Sequence, residues 1–90
     1  MKTIESLINA SKKVYVYMSS DEICRRFFAQ AEREGFLFGG ENPTDKHPSD
    51  LIAVLPDKRL CYVGTIGRIA ARSGAENVVM LGGEEVLGSL

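Results

Sequence analysis

The stretch at residues 50–68, DLIAVLPDKRLCYVGTIGR, constrains the fold of this chain more than any other. Leu51-Ile52-Ala53-Val54-Leu55 is a continuous apolar run of strand length, and Leu60-Cys61-Tyr62-Val63 reads as a second strand returning beside it. Between them Pro56-Asp57-Lys58 carries turn chemistry, so the segment predicts a β-hairpin. Pro56 fixes its own φ near the value needed at the second position of a type I turn, and Asp57 tolerates the bridge conformation that follows. Immediately afterwards come Gly64-Thr65-Ile66-Gly67-Arg68, two glycines and a cation at the exit of an apolar strand.

The remainder of the chain supplies partners for that hairpin. Ile4, Leu7 and Ile8 fall at i, i+3 and i+4, the stripe of a short helix over residues 3–10 that must dock to persist. Val14-Tyr15-Val16-Tyr17-Met18 alternates β-branched and aromatic residues, which predicts a strand with Val14, Val16 and Met18 on one face. Tyr15 and Tyr17 then occupy the other face, where a buried ring needs a partner for its hydroxyl. Ser19 is expected to cap the next helix, with Glu22 completing a capping box. Ile23, Cys24, Phe27, Phe28 and Ala31 make that helix's apolar face, and Gly35 ends it, with Phe36 folding back on Ala31. Phe36-Leu37-Phe38 reads as a short strand, and residues 39–49, with two prolines and the chain's one histidine, His47, read as a loop. A short helix over residues 67–73, ended by Gly74, is expected to turn Ile66, Ile69 and Ala70 inward before a last strand at Val78-Val79-Met80-Leu81.

This pattern implies an α+β fold in one small domain, residues 1–81, in the order α-β-α-β-β-(short α)-β, with residues 82–90 as a loosely ordered tail. A sheet of three to four strands with helices on one face is expected, its core holding Val14, Val16, Phe27, Ala31, Ile52, Val54, Leu60 and Val63. Such a sheet leaves a face or an edge uncovered, so a homodimer or higher homo-oligomer is expected.

Composition narrows the functional classes. Ninety residues suffice for one core and leave little room for a second site. A formal net charge of -1 argues against a dedicated nucleic-acid binder. Charge is nevertheless divided: residues 58–72 hold four cations and no acid, and residues 75–90 hold three acids and no cation. Cys24 and Cys61 belong to no metal or redox spacing and read as buried thiols. With Leu7-Ile8 the one apolar doublet among the first ten residues, no secretory leader is expected, and no stretch is long enough to span a membrane. The expected location is the cytoplasm.

No catalytic constellation emerges. His47 lies in a turn-rich loop without a nucleophile elbow, the carboxylate pairs Glu32/Glu34 and Asp45/Asp50 read as solvated, and no residues have metal-ligand spacing. The chain is therefore expected to be no enzyme and to need no metal or cofactor. What the residues offer is anion recognition: Gly64, Thr65 and Gly67 let backbone approach a phosphate at a strand-to-helix junction, and Arg68 can clamp it bidentately. Ser19 and Ser20 open a second helix start, and Tyr17, Asn42 and Lys46 complete the candidate ligand-binding set, provided the strand ends converge.

The segments VYVYMSSDE, RFFAQAEREGFLFG, NPT and CYVGTIGRIA, within residues 13–71, resemble a set of small proteins of gut bacteria and of their phages and mobile elements. That resemblance implies context: compact proteins of this origin are often inhibitors or sponges acting on host defence, and sponges bind nucleotide-derived signals without cleaving them. The expected function is thus sequestration of a phosphate- and ribose-containing immune signal, such as a cyclic ADP-ribose-type molecule, in the host cytoplasm if phage-encoded. The alternative is a protein–protein inhibitor or adaptor directed at a host defence or regulatory protein.

Overall fold

The computed structural model describes residues 3–8, 11–74 and 76–89. Its elements are β1 (Lys13–Tyr17), α1 (Asp21–Arg33), β2 (Leu37–Phe38), β3 (Leu51–Leu55), β4 (Arg59–Tyr62), α2 (Thr65–Arg72), β5 (Val78–Gly82) and α3 (Gly83–Gly88). Two single 3-10 turns, Glu5–Leu7 and Pro43–Asp45, join them. The first replaces the helix expected over residues 3–10, of which residues 9 and 10 lie outside the described residues. Too few of those residues are helical to nucleate an α-helix, and the turn is instead held from outside. The Glu34 carboxylate accepts from the Ile4 and Glu5 N–H groups, both at 2.9 Å, which seats Ile4 in the core.

The sheet has five strands in the order β2-β4-β3-β1-β5. The expected hairpin forms the β3–β4 ladder, with Ala53 opposite Cys61, and β1 pairs antiparallel to β3, with Tyr15 opposite Ala53. On its other side β1 pairs parallel to β5, placing Tyr15 opposite Met80. β2 lies parallel to β4, so every strand except β3 points the same way. The hairpin turn closes through the Lys58 N–H on the Leu55 carbonyl at 3.2 Å, with Lys58 itself at φ 61°.

Two crossovers follow from this order. The connection β1–α1–β2 runs toward one edge of the sheet, and β4–α2–β5 runs toward the other. Connections of one hand that travel in opposite directions lie on opposite faces. This corrects the expectation of three to four strands with helices on one face. Pairing of β5 with β1 is non-local and adds the fifth strand, and α2 is carried to the second face by the direction of its crossover.

Against the first face α1 packs Cys24, Phe27, Phe28 and Ala31 over Val14, Val16, Ile52, Val54 and Leu60. All eight residues expected in the core are buried. The helix begins one residue later than expected. Met18 still pairs with β3, its N–H donating to the Asp50 carbonyl at 2.8 Å, so Ser19 is extended chain and Ser20 is the cap, accepting from the Ile23 N–H at 3.2 Å. Its far end follows the expected Schellman geometry. Gly35 takes φ 86°, and the Phe36 N–H donates to the Ala31 carbonyl at 2.9 Å.

The tail expected to be loose contains α3, which buries Val86 against the α1-side core. This six-residue helix is also held at its start, where buried Gly83 lies against Met18 and Ile23 and Ser19 Oγ donates to the Glu84 carboxylate. Among the described residues no helix is long and apolar enough to cross a membrane.

Candidate ligand groove

The second face of the sheet is only partly covered. α2 enters over the end of β4 and crosses toward the start of β5, packing Ala71 on a small cluster of Tyr15, Leu51, Ala53 and Val63. Along one flank it leaves a groove of about 940 Å³, within the range of roughly 300–1,000 Å³ typical of small-molecule sites. The groove is lined by Tyr15, Ala53, Leu55, Cys61 and Val63 from the sheet and by residues Gly64, Thr65, Ile66, Gly67 and Ala70 at and after the helix start. Lys12 and Lys13, with Asn77 and Val78, line its remaining side.

Three features give this surface chemical character. Tyr15 is 94% removed from solvent, being 6% exposed, and its hydroxyl has no hydrogen-bond partner among the described residues. Among the described residues no buried side-chain oxygen lacks a partner, so this hydroxyl reaches the solvent of the groove, where a ligand can take the place of water. Secondly, the cap of α2 is Gly64, which has no side chain to accept from the first turn. The N–H groups of Thr65, Ile66 and Gly67 are therefore left for water or an anion, at the positive end of the helix. Lys12 and Lys13, both exposed, add cationic charge without an ion-pair partner among the described residues. Burial pushes the Cys61 thiol above its ordinary pKa, so it lines the groove as a neutral, weakly polar surface.

Gly67 has a packing role here. A Cβ on it would come within 2.8 Å of Val63 Cγ1 and 2.9 Å of the Tyr15 hydroxyl, so its hydrogen is what allows α2 to sit down on the sheet. Gly64 differs: a Cβ there would meet nothing within 4 Å.

Of the residues expected to bind a ligand, Gly64, Thr65 and Gly67 lie together in this groove. Arg68 does not. Its guanidinium makes two bonds to Asp50, at 2.7 and 3.1 Å, while its Nε donates to the Val63 carbonyl at 3.2 Å. The Arg68 guanidinium in turn holds the Asp50 carboxyl below the usual carboxylate range. Arg68 and Tyr17 line a separate hollow of about 200 Å³ with Met80 and Arg72. Ser19 and Ser20 are engaged at α3 and at the α1 cap. Asn42 and Lys46 belong to the loop that packs along α1, where Lys46 pairs with Glu41 at 2.8 Å and lies over the Phe38 ring.

Ile66 and Ile69, expected inward, are 86% and 61% exposed. The sheet takes the Gly67–Ala71 side of α2 instead, because that side is small enough for close approach. The expected ligand set held Tyr17 but not Tyr15, Lys12 or Lys13, although the alternation of residues 14–18 puts Tyr15 on the face away from the main core. Among the described residues no group of three or more His, Cys, Asp or Glu is placed to hold a metal ion.

Comparison of the chain with protein-family models, with curated proteins and with solved structures gives no match.

Proposed function

We propose that this protein is a non-catalytic binder that sequesters a nucleotide-derived anion in the groove beside α2. The observation that carries this reading is a groove whose apolar walls, Ala53, Leu55 and Val63, meet a solvent-reaching Tyr15 hydroxyl with no protein partner among the described residues, the side-chain-free cap of α2, and Lys12 and Lys13 at one side. A planar base or nicotinamide-like ring suits the apolar walls, with Tyr15 supplying one directional hydrogen bond. A phosphate suits the N–H groups of Thr65 and Ile66, with Lys12 and Lys13 adding charge. No thiolate, histidine or carboxylate pair in the groove supports cleavage of such a ligand, which fits a sponge better than a hydrolase.

A thermal-shift screen against cyclic dinucleotides, ADP-ribose, cyclic ADP-ribose and NAD tests it. A ligand present at 100 times its dissociation constant adds about 2.7 kcal/mol of stability. With the compound that responds, Tyr15→Phe should weaken binding roughly threefold to tenfold while leaving the free protein's melting temperature unchanged, since no protein bond is lost. Silence across the screen would favour the second reading, a protein–protein inhibitor. The observation behind that reading is the outward pair Ile66 and Ile69 on α2.

A further inference from the structure

The two edges of the sheet are finished differently. At one edge β2 is two residues long, and the chain folds back on it at once through a bridge between Phe38 and Glu41. At the other, β5 is five residues long, its sequence VVMLG carries no charge and no proline, and no described residue pairs with its outer side. Natural edge strands are ordinarily shortened, charged or covered, because an open row of N–H and C=O groups is a template for another strand. β2 follows that practice, whereas β5 does not.

The phase of β5 shows which groups are open. The Lys13 N–H donates to the Asn77 carbonyl at 2.7 Å, and Val14 stands opposite Val79. In a parallel ladder this turns the polar groups of residues 77, 79 and 81 toward β1 and those of Val78 and Met80 outward; Gly82 turns its N–H outward as well, while its carbonyl, at the cap of α3, serves that helix. Met80 is also 44% exposed on the α2 face.

We propose that β5 is a dimerisation edge, pairing antiparallel with β5 of a second copy about a two-fold axis through Met80. Residues 78, 80 and 82 are spaced symmetrically about residue 80, so in this register Met80 exchanges both its bonds with the other copy's Met80, and each Gly82 N–H meets the other copy's Val78 carbonyl. A second copy fits because residues 78–82, the span that pairs, carry no charge on either copy, and the result is one continuous ten-stranded sheet. Glu76 lies just before the strand and Glu84 just after it in α3, where Ser19 holds its carboxylate, so each copy brings negative charge near both ends of the joint. Salt screens that charge and makes the dimer stronger at high salt than at low salt.

Light scattering of the wild-type chain at rising concentration, at low and at high salt, reads the assembly directly. A species of twice the 9.9 kDa chain mass is expected, favoured by salt. Met80→Lys should give a monomer with an unchanged circular dichroism spectrum, because it sets two like charges face to face without touching the ladder to β1. Met80→Cys, in a Cys61→Ser background, should be cross-linked between copies by a short bifunctional thiol reagent, since the two residues of such a hydrogen-bonded pair lie about 5.5 Å apart at Cα. A wild-type chain that stays monomeric at the highest concentration and in high salt overturns the proposal. So does a dimer that persists in folded Met80→Lys, or a folded Met80→Cys that forms no cross-link. The salt arm and the cross-link need no groove ligand, so this test stands apart from that of the binding function.

Discussion

A Cβ placed on Gly67 would lie 2.9 Å from the Tyr15 hydroxyl, so the helix beside the groove and the tyrosine in its wall fit through the absence of one methyl group. The second close neighbour, Val63 Cγ1 at 2.8 Å, belongs to a stiff β-branched side chain that is itself buried. Gly67→Ala is therefore expected to overpack the contact, at about 1–3 kcal/mol, offset by about 1 kcal/mol from alanine's better helix propensity. The net loss is read as a lower midpoint in urea unfolding. An unchanged or higher midpoint would show that α2 slides freely on the sheet.

The bidentate Arg68–Asp50 pair predicts a role in stability. Both groups are substantially exposed, so Arg68→Ala should cost no more than about 1 kcal/mol, and a double-mutant cycle with Asp50→Asn should recover a coupling of similar size. Affinity for a groove ligand should change little. A large loss of affinity with unaltered stability would return Arg68 to the binding site.

Acid should loosen the amino-terminal turn. Burial pushes the Glu34 carboxyl upward, but hydrogen bonds from Gln30, Ile4 and Glu5 outweigh it, and the folded pKa ends below the ordinary value. Asp50 is lowered too, by Arg68. A depressed carboxylate contributes stability that is fully present above its unfolded pKa and is lost as pH falls through the folded pKa. Stability should thus be flat near neutrality and decline below the ordinary carboxylate range. Glu34→Gln should remove roughly 1.5 kcal/mol at neutral pH and flatten part of that decline. A pH profile identical to wild type would disprove the linkage.

Phe27 lies in the middle of the α1-side core with no exposed surface. Phe27→Ala should cost about 3–5 kcal/mol by denaturant unfolding, a large share of the stability of a domain this small. A cost under about 1 kcal/mol would mean that α1 repacks around the void.

Local patterns carried much of this fold. The period-two alternation of residues 14–18 and the helical spacing of Cys24, Phe27, Phe28 and Ala31 each point to one face, and those faces meet in the structure. Residues 64–73 were harder. Ile66 and Ile69 are the helix's most apolar members, and a rule that turns apolar residues inward misplaces them. What decides its orientation is Gly67, whose small size matters only once Tyr15 and Val63 are known to lie beneath it. The groove was half legible for the same reason. Gly64, Thr65 and Gly67 could be singled out from their spacing, whereas Tyr15, Lys12 and Lys13 reach them across the sheet through pairings that no local pattern encodes. Arg68 has the right chemistry for a phosphate, but Asp50 claims it from eighteen positions away.

The place of β5 beside β1 bears on how the native state is reached in time. Lys13 and Val78 stand opposite each other in the finished sheet, so the strand formed early in the chain takes one of its two neighbours from the last strand made. During synthesis β1, α1 and the hairpin can assemble first, with the inner groups of β1 turned to water along one whole side. Closing that side is a parallel, long-range step, the slowest kind for a small domain. A nascent chain halted before Val78 would therefore present β1 itself as an open, strongly β-forming edge, and the interval before β5 arrives is when this protein is most exposed to misassembly.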